Sequence, residues 1–136
     1  MTNNYFIRRT QYIFSLKAKK MIEIFKSVGV DVTFEQVVGW TRRDEDPEVV
    51  LMEDSALAAF LNGFIIEKRG KKEGPAPVAE EKLNNNIILR KFRIALDMKD
   101  TDMLEIFRLS HTQISKHELS SFFRKKDHRN WAYCKD

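Results

Sequence analysis

The chain repeats itself at a constant offset of 82 residues, and this feature constrains its fold more than any other. When residues 3–54 are set against residues 85–136 without a gap, 10 of the 52 pairs are identical. The identical residues are Asn3, Asn4, Arg8, Lys17, Met21, Glu23, Ile24, Phe25, Arg42 and Asp54, each with its counterpart 82 positions later. The sequence therefore predicts two copies of one structural unit.

The repeats divide the 136 residues into three parts. We predict a first helical repeat over residues 1–68, a linker over residues 69–83 and a second helical repeat over residues 84–136. The stretch RGKKEGPAPVAEEK, from Arg69 to Lys82, combines glycine, proline and many charges. This composition is typical of a segment that has no core of its own.

Apolar residues recur at helical spacing in both repeats, so we predict an all-α fold. The clearest amphipathic stripe follows Asp54 and consists of Leu57, Phe60, Leu61, Phe64 and Ile65. The third helix of each repeat opens with a capping box, in which a hydroxyl and an amide or carboxylate satisfy each other's backbone donors. These boxes are Thr33–Gln36 and Ser115–Glu118.

The two repeats are expected to differ in their fourth helix. Asp54 begins that helix in the first repeat, whereas its counterpart Asp136 is the last residue of the sequence. We therefore predict two tandem units of three to four helices each, with the second unit truncated before its fourth helix. Three explanations stay open: the fourth helix of the first repeat covers both units, a second chain supplies the cover, or the sequence is a shortened form of a longer parent. We favour the last two over the first.

The repeated polar residues have simple structural interpretations. Asn4 and Asn86 are predicted to cap the first helix of each repeat. An ion pair is predicted to join the first and second helices of each repeat, Arg8–Glu23 and Arg90–Glu105.

Motifs of enzymes and metal sites are missing from the sequence. The candidate ligands His111, His117, His128 and Cys134 form no pair at the spacing that places two ligands on one helix face. Cys134 has no arranged base, and no glycine-rich nucleotide loop is present. We predict no catalytic residue, no metal and no cofactor.

The sequence predicts a cytoplasmic protein without membrane association. Cys134 is the single cysteine, which suits a reducing compartment. No apolar run approaches the roughly 20 residues that span a bilayer. The first residues, MTNNYFIRRTQ, lack the pattern of a secretory signal.

Nucleic-acid binding is the first functional hypothesis. The net charge is +4, and the second and third helices of each repeat have the outline of a helix-turn-helix. The third helix of the second repeat is expected to expose polar residues, Ser121 among them, away from Leu119, Phe122 and Phe123. Two observations oppose the hypothesis. Only the second repeat is basic on its third helix, and the stretch from Gly29 to Thr33 is longer than the tight turn of a typical helix-turn-helix. The candidate contacts are Arg42, Arg43, Lys116, His117, Ser120, Arg124, Lys125 and Lys126.

The alternative is a protein-interaction module or a homo-oligomeric structural protein. The sequence contains 10 Phe and 2 Trp, and the unequal fourth helix leaves apolar surface for a partner, which includes a second copy of the chain. Salt-sensitive retention on DNA would favour the first hypothesis. A mass that depends on concentration, without a DNA shift, would favour the second.

The repeated motifs resemble a known family. The pattern N-N-x-x-x-R, then M-[IL]-E-I-F, then R-[RK], with the stretch RKKDHRNWAYCKD, is similar to the YehS-like family of bacterial proteins. The resemblance covers nearly all of residues 3–136 apart from the linker. It implies a bacterial, cytoplasmic, all-helical protein with two such units and no assigned catalytic residue. Members of that family run on into a fourth helix in the second unit, so the stop at Asp136 departs from its pattern.

Overall fold

A computed structural model of the protein, which describes residues 1–75 and 77–136, contains α-helices joined by irregular segments. Ala76, in the predicted linker, lies outside the described residues. The helices are α1 (Asn3–Ile13), α2 (Ala18–Lys26), α3 (Phe34–Thr41), α4 (Asp54–Arg69), α5 (Asn85–Ala95), α6 (Asp100–Leu109) and α7 (Lys116–Phe122). The described residues contain no strand, which confirms the predicted all-α class.

The chain forms two compact units, Met1–Leu83 and Asn84–Asp136, called unit 1 and unit 2 below. Residues 70–75 and 77–83 adopt neither helix nor strand. The Leu83 backbone N–H donates to the Asp54 carboxylate at 2.8 Å, which attaches the end of this segment to the start of α4. The Asn3 side-chain amide, followed by that backbone N–H, holds the pKa of Asp54 below its ordinary value.

The core of unit 1 forms where α4 packs against α2. Phe25, Phe60 and Phe64 are fully buried, and the ring centroids of Phe25 and Phe60 lie 5.7 Å apart. The stripe predicted on α4 faces this core, because Leu57 and Leu61 are buried with the two α4 phenylalanines. Burying aromatic and aliphatic side chains of this size contributes about 2 kcal/mol each.

Gly63 permits the close contact between α4 and α2. A Cβ atom at this position would lie 2.2 Å from the backbone oxygen of Ile24. The backbone fixes the position of a Cβ atom, so rotation of the side chain cannot relieve this contact. Any residue larger than glycine would therefore push the two helices apart.

The two predicted capping boxes are present. Thr33 and Gln36 exchange hydrogen bonds at the start of α3, and Ser115 and Glu118 do the same at the start of α7. The matching boxes fix the first turn of each short helix by satisfying backbone N–H groups that have no partner within the helix.

The predicted capping role of Asn4 and Asn86 is wrong. Thr2 caps α1 and Asn84 caps α5, each accepting a hydrogen bond from a backbone N–H three residues later. Asn4 and Asn86 instead lie inside the first turn of their helices and are each only 3% exposed. Their amides therefore bond to other parts of the fold.

The buried amide of Asn4 joins three parts of unit 1. Its Nδ2 donates to the carbonyl oxygens of Trp40 at 3.1 Å and Val50 at 2.6 Å. Its Oδ1 accepts the Met52 backbone N–H at 2.8 Å. One side chain thus ties α1 to the end of α3 and to the extended segment that leads into α4, and all three of its hydrogen bonds are internal.

The same three hydrogen bonds recur in unit 2, each shifted by 82 residues. Asn86 donates to the carbonyl oxygens of Phe122 at 3.1 Å and Ala132 at 2.7 Å, and it accepts the Cys134 backbone N–H at 2.8 Å. Asn4 and Asn86, which are identical when the two repeats are aligned, therefore make equivalent hydrogen bonds in the two units.

The predicted ion pairs between Arg8 and Glu23 and between Arg90 and Glu105 are wrong. Arg8 pairs with Asp44 at 3.3 Å, while Glu23 lies beside Lys20. Arg90 donates to a backbone carbonyl oxygen that follows α7, and Glu105 pairs with Arg108 on its own helix. The first-helix arginines reach the end of the third helix instead of the second helix.

The core of unit 2 is smaller. Met103, Leu119, Phe122 and Cys134 are buried together. Partly buried apolar residues surround them: Leu89, Met98, Leu104, Phe107, Ile114, Phe123 and Ala132. Leu119 and Phe122 therefore find cover within the unit, whereas Phe123 stays partly exposed.

We predict that Asn4→Ala or Asn86→Ala lowers the free energy of unfolding by about 2–4 kcal/mol, because each leaves three backbone groups without their partner. Asn130→Ala is the matched control, since Asn130 is exposed and should change stability by less than about 0.5 kcal/mol. Urea unfolding followed by circular dichroism measures all three. Equal stability of Asn4→Ala and the control would contradict the role assigned to the buried amide.

Candidate nucleic-acid interface

Helix α7 separates apolar from charged side chains. Leu119 and Phe122 are buried, while Lys116 and His117, in the first turn, are exposed. Ser120 is partly buried. Ser121 was expected to be exposed, and this is wrong: it is 8% exposed and its hydroxyl donates to the Glu118 carbonyl oxygen.

The segment after α7 continues the positive charge. Lys125, Lys126 and Arg129 are exposed, and Arg124 is partly buried. Within residues 1–75 and 77–136, Lys116, Lys125, Lys126 and Arg129 form no ion pair. We call the following residues the basic surface: Lys116, His117, Ser120, Arg124, Lys125, Lys126 and Arg129. Arg129 was not among the candidates, although its position after Lys125 and Lys126 was a usable signal.

The guanidinium group of Arg124 differs in its partners from that of its counterpart in unit 1. Its Nε atom is buried and has no hydrogen-bond partner in the described part of the chain. Its counterpart in unit 1, Arg42, pairs with Asp46 at 3.2 Å and with Glu48 at 3.3 Å. The Arg42 charge is therefore neutralised locally, whereas the Arg124 charge is not.

The loop after the third helix explains this difference. In unit 1 it carries Asp44, Asp46 and Glu48, and the counterparts in unit 2 are Lys126, His128 and Asn130. The Glu48 backbone N–H, followed by Arg42, holds the pKa of Asp46 below its ordinary value, because both favour the charged carboxylate. Only Arg43 of the unit 1 candidates is exposed without an ion pair among the described residues.

Each unit has a surface groove that its third helix helps to line. The groove in unit 1 has a volume of about 340 Å³ and is lined by Phe34, Val38, Gly39 and Val50 together with charged residues that include Arg42 and Glu48. The groove in unit 2 has a volume of about 600 Å³, and its lining includes Glu105 and Arg108, which pair with each other. Neither groove gathers unpaired cations, so the basic surface is the stronger candidate.

The residues that the sequence offered as candidate metal ligands do not come together in the described part of the chain. These residues are His111, His117, His128 and Cys134. In the described residues, no three His, Cys, Asp or Glu side chains come close enough to hold a metal ion. Cys134 is buried in the core of unit 2.

None of the described helices has the length and apolarity required to cross a membrane.

Comparison with known proteins agrees with the motif evidence. The model of a family described as a protein of unknown function, DUF1456, matches residues 3–70 and again residues 85–136. The chain belongs to this family. It is 36% identical to the uncharacterized protein YehS of Escherichia coli (strain K12) over 137 residues, which cover 100% of this chain and 88% of that protein. The predicted YehS-like resemblance is confirmed. No solved structure matches.

We predict that Cys134 reacts with iodoacetamide at about pH 8 at least about tenfold more slowly in the folded protein than in urea. Burial, followed by the nearby Asp136 carboxylate, raises the pKa of the Cys134 thiol, so less of the reactive thiolate is present. Since the folded pKa is the higher one, this group favours folding below its unfolded pKa of about 8.5, and that contribution is lost as the pH rises above it. Mass spectrometry of the labelled protein measures the rate, and equal rates in both states would contradict the prediction.

Proposed function

We propose that this protein is a non-enzymatic, cytoplasmic binding protein whose unit 2 binds nucleic acid through the basic surface. The observation that carries the proposal is the reversal of charge between two corresponding loops. Where unit 1 pairs Arg42 with carboxylates, unit 2 places Lys126, His128 and Asn130 and leaves Arg124 unpaired. Unpaired cations gathered on a short helix and the following turn favour a polyanion through release of its counterions.

Contacts to phosphate explain this surface better than contacts to base edges. Helix α7 has 7 residues and is therefore about 10 Å long, which is short for a recognition helix. The segment between α6 and α7, residues 110–115, is also longer than the usual turn of three or four residues in a DNA-binding helix-turn-helix. Binding of this kind depends on charge and salt and carries little sequence preference.

Protein interaction is the second candidate function. Phe34, Val50 and Leu51 are exposed apolar residues at and near the groove of unit 1, where the loop is acidic. A partner there would be a protein instead of a nucleic acid, because carboxylates repel phosphate. The two candidates use different units, so substitutions in one unit separate them.

The first test removes two cations. We predict that Lys125→Gln together with Lys126→Gln weakens binding to a fluorescent duplex and lowers the slope of log affinity against log salt by about 2 between roughly 50 and 200 mM salt. The matched control, Lys71→Gln with Lys72→Gln, removes the same charge from the exposed segment after α4 and should change the slope by less than about 0.5. Equal changes in the two variants would mean that net charge alone attracts DNA, which would refute the assigned surface.

The second test exchanges the loops. We predict that Lys126→Asp, His128→Asp and Asn130→Glu, which copy the acidic loop of unit 1, weaken DNA binding at least about tenfold at low salt, because the new carboxylates pair with Arg124 and repel phosphate. The reverse exchange, Asp44→Lys, Asp46→His and Glu48→Asn, should strengthen binding by freeing Arg42. Fluorescence anisotropy measures both variants. Unchanged affinity after the first exchange would contradict the proposal.

A further inference from the structure

Two aromatic side chains lie in the segment after α7, which also carries cations of the basic surface. Tyr133 is 53% exposed and Trp131 is partly buried, and their ring centroids are 6.4 Å apart. The counterparts in unit 1 are the aliphatic residues Leu51 and Val49. The exchange of aliphatic for aromatic residues therefore occurs in the same segment as the reversal of charge.

Backbone contacts hold the two rings beside α7. The Ala132 backbone N–H donates to the Ser121 carbonyl oxygen of α7 at 3.2 Å. Ala132 and Cys134 both reach the core of unit 2, whereas Tyr133 between them is exposed, as in an extended segment whose side chains alternate. Trp131 lies on the same side as Tyr133, since the two rings are in contact. The aromatic pair therefore faces outward from α7 and the core.

The rings stand among cations. Residues 124–135 contain five lysine or arginine residues and one carboxylate residue, Asp127, whereas the matching residues 42–53 of unit 1 contain two such cations and five carboxylates. Ser121 lies between Ser120 and Arg124 in the sequence, and both belong to the basic surface. The hydrogen bond to Ser121 thus places the aromatic pair next to that surface.

Aromatic rings beside cations match the chemistry of a single strand. An exposed ring stacks on any unpaired base, while lysine and arginine contact the phosphates that join the bases. In a duplex the bases already stack on one another, so their faces are not open to Trp131 or Tyr133. Cations alone would favour the duplex, because it carries more charge per unit length than one strand.

We propose that the basic surface, together with Trp131 and Tyr133, binds single-stranded nucleic acid, with bases stacked on the rings and phosphates held by the cations. This inference rests on the proposed function and adds the class of nucleic acid. It also assigns a role to the two aromatic side chains, which the basic surface did not include.

An anionic membrane is the other polyanion that attracts cations beside aromatic residues. The surroundings of the rings favour nucleic acid, because a membrane-bound surface inserts aliphatic side chains as well. Ala132 and Cys134 contact the core, and Leu119 and Phe122 are buried, so the aliphatic area beside Tyr133 is small. Vesicles are therefore included as a competing probe.

Fluorescence anisotropy with the full-length protein tests the class of ligand. The probes are oligo(dT) and oligo(rU) of about 15 nucleotides and a mixed-sequence duplex of about 15 base pairs. We predict that the better single strand binds at least about fivefold more tightly than the duplex at about 100 mM salt, against the order that charge alone would give. Tighter binding of oligo(rU) than of oligo(dT) identifies RNA as the ligand, and the reverse order identifies DNA.

Variants test the rings. Trp131→Val with Tyr133→Leu copies unit 1 and should weaken single-strand binding at least about tenfold, while duplex binding changes less than about twofold. Tyr133→Phe keeps the ring and should retain single-strand affinity within about twofold. The matched control is Tyr12→Leu, because Tyr12 is 79% exposed in unit 1 and should leave binding unchanged. Thermal unfolding shows which variants fold. Tyr133→Leu alone, at an exposed position, should cost at least about fivefold and replaces the double variant if that one unfolds.

Three results would overturn the proposal. The first is duplex binding as tight as that of the better single strand, and the second is unchanged single-strand affinity in folded Tyr133→Leu. The third is binding to vesicles of about 30% phosphatidylserine that Tyr133→Leu abolishes, without binding of either oligonucleotide. Failure of the proposed function looks different, because Lys125→Gln with Lys126→Gln would then leave binding of every nucleic-acid probe unchanged. If these lysines matter and the rings do not, the basic surface stands and the preference for a single strand is refuted.

Discussion

One buried asparagine in each unit connects the parts of the fold that helix packing alone leaves unconnected. The segments that follow α3 and α7 form no regular secondary structure, so their backbone groups need partners from elsewhere. Asn4 and Asn86 provide these partners from the first turn of the first helix, with two donated bonds and one accepted bond each. Loss of either amide would leave two backbone carbonyl oxygens and one backbone N–H of its unit without this partner.

This internal network leaves the outer surface free to vary. The hydrogen bonds of Asn4 and Asn86 reach backbone atoms only, so the side chains along the connected segments can change without breaking them. The loop that carries Asp44 and Asp46 in unit 1 can therefore carry Lys126 and His128 in unit 2. Repetition of one scaffold therefore gives the two units loops of opposite charge.

Local signals in the sequence predicted the fold well, and long-range contacts escaped prediction for a physical reason. The capping boxes and the α4 stripe depend on residues within two turns of one another, so spacing alone reveals them. Asn4 was misassigned because an asparagine near a helix start most often caps it, whereas its true partners lie 36 to 48 residues away. Arg8 was misassigned similarly, since helix periodicity does not show which helix end a long side chain reaches. The exposed lysines of the basic surface could be predicted, but the local neutralisation of Arg42 could not.

Comparison of the two units also shows that identical residues can have different roles in different surroundings. Ile24 and Ile106 occupy corresponding helices and share their neighbour phenylalanine, yet one is buried by α4 and the other is half exposed. A helix that covers Ile106 would remove apolar surface from water and would stabilise unit 2 in proportion to its concentration and affinity. Since α7 packs on α6, that stabilisation would extend to the helix that carries Lys116 and His117. Ile106 and Lys116 thus lie on two helices that share the small core of Met103, Leu119 and Phe122.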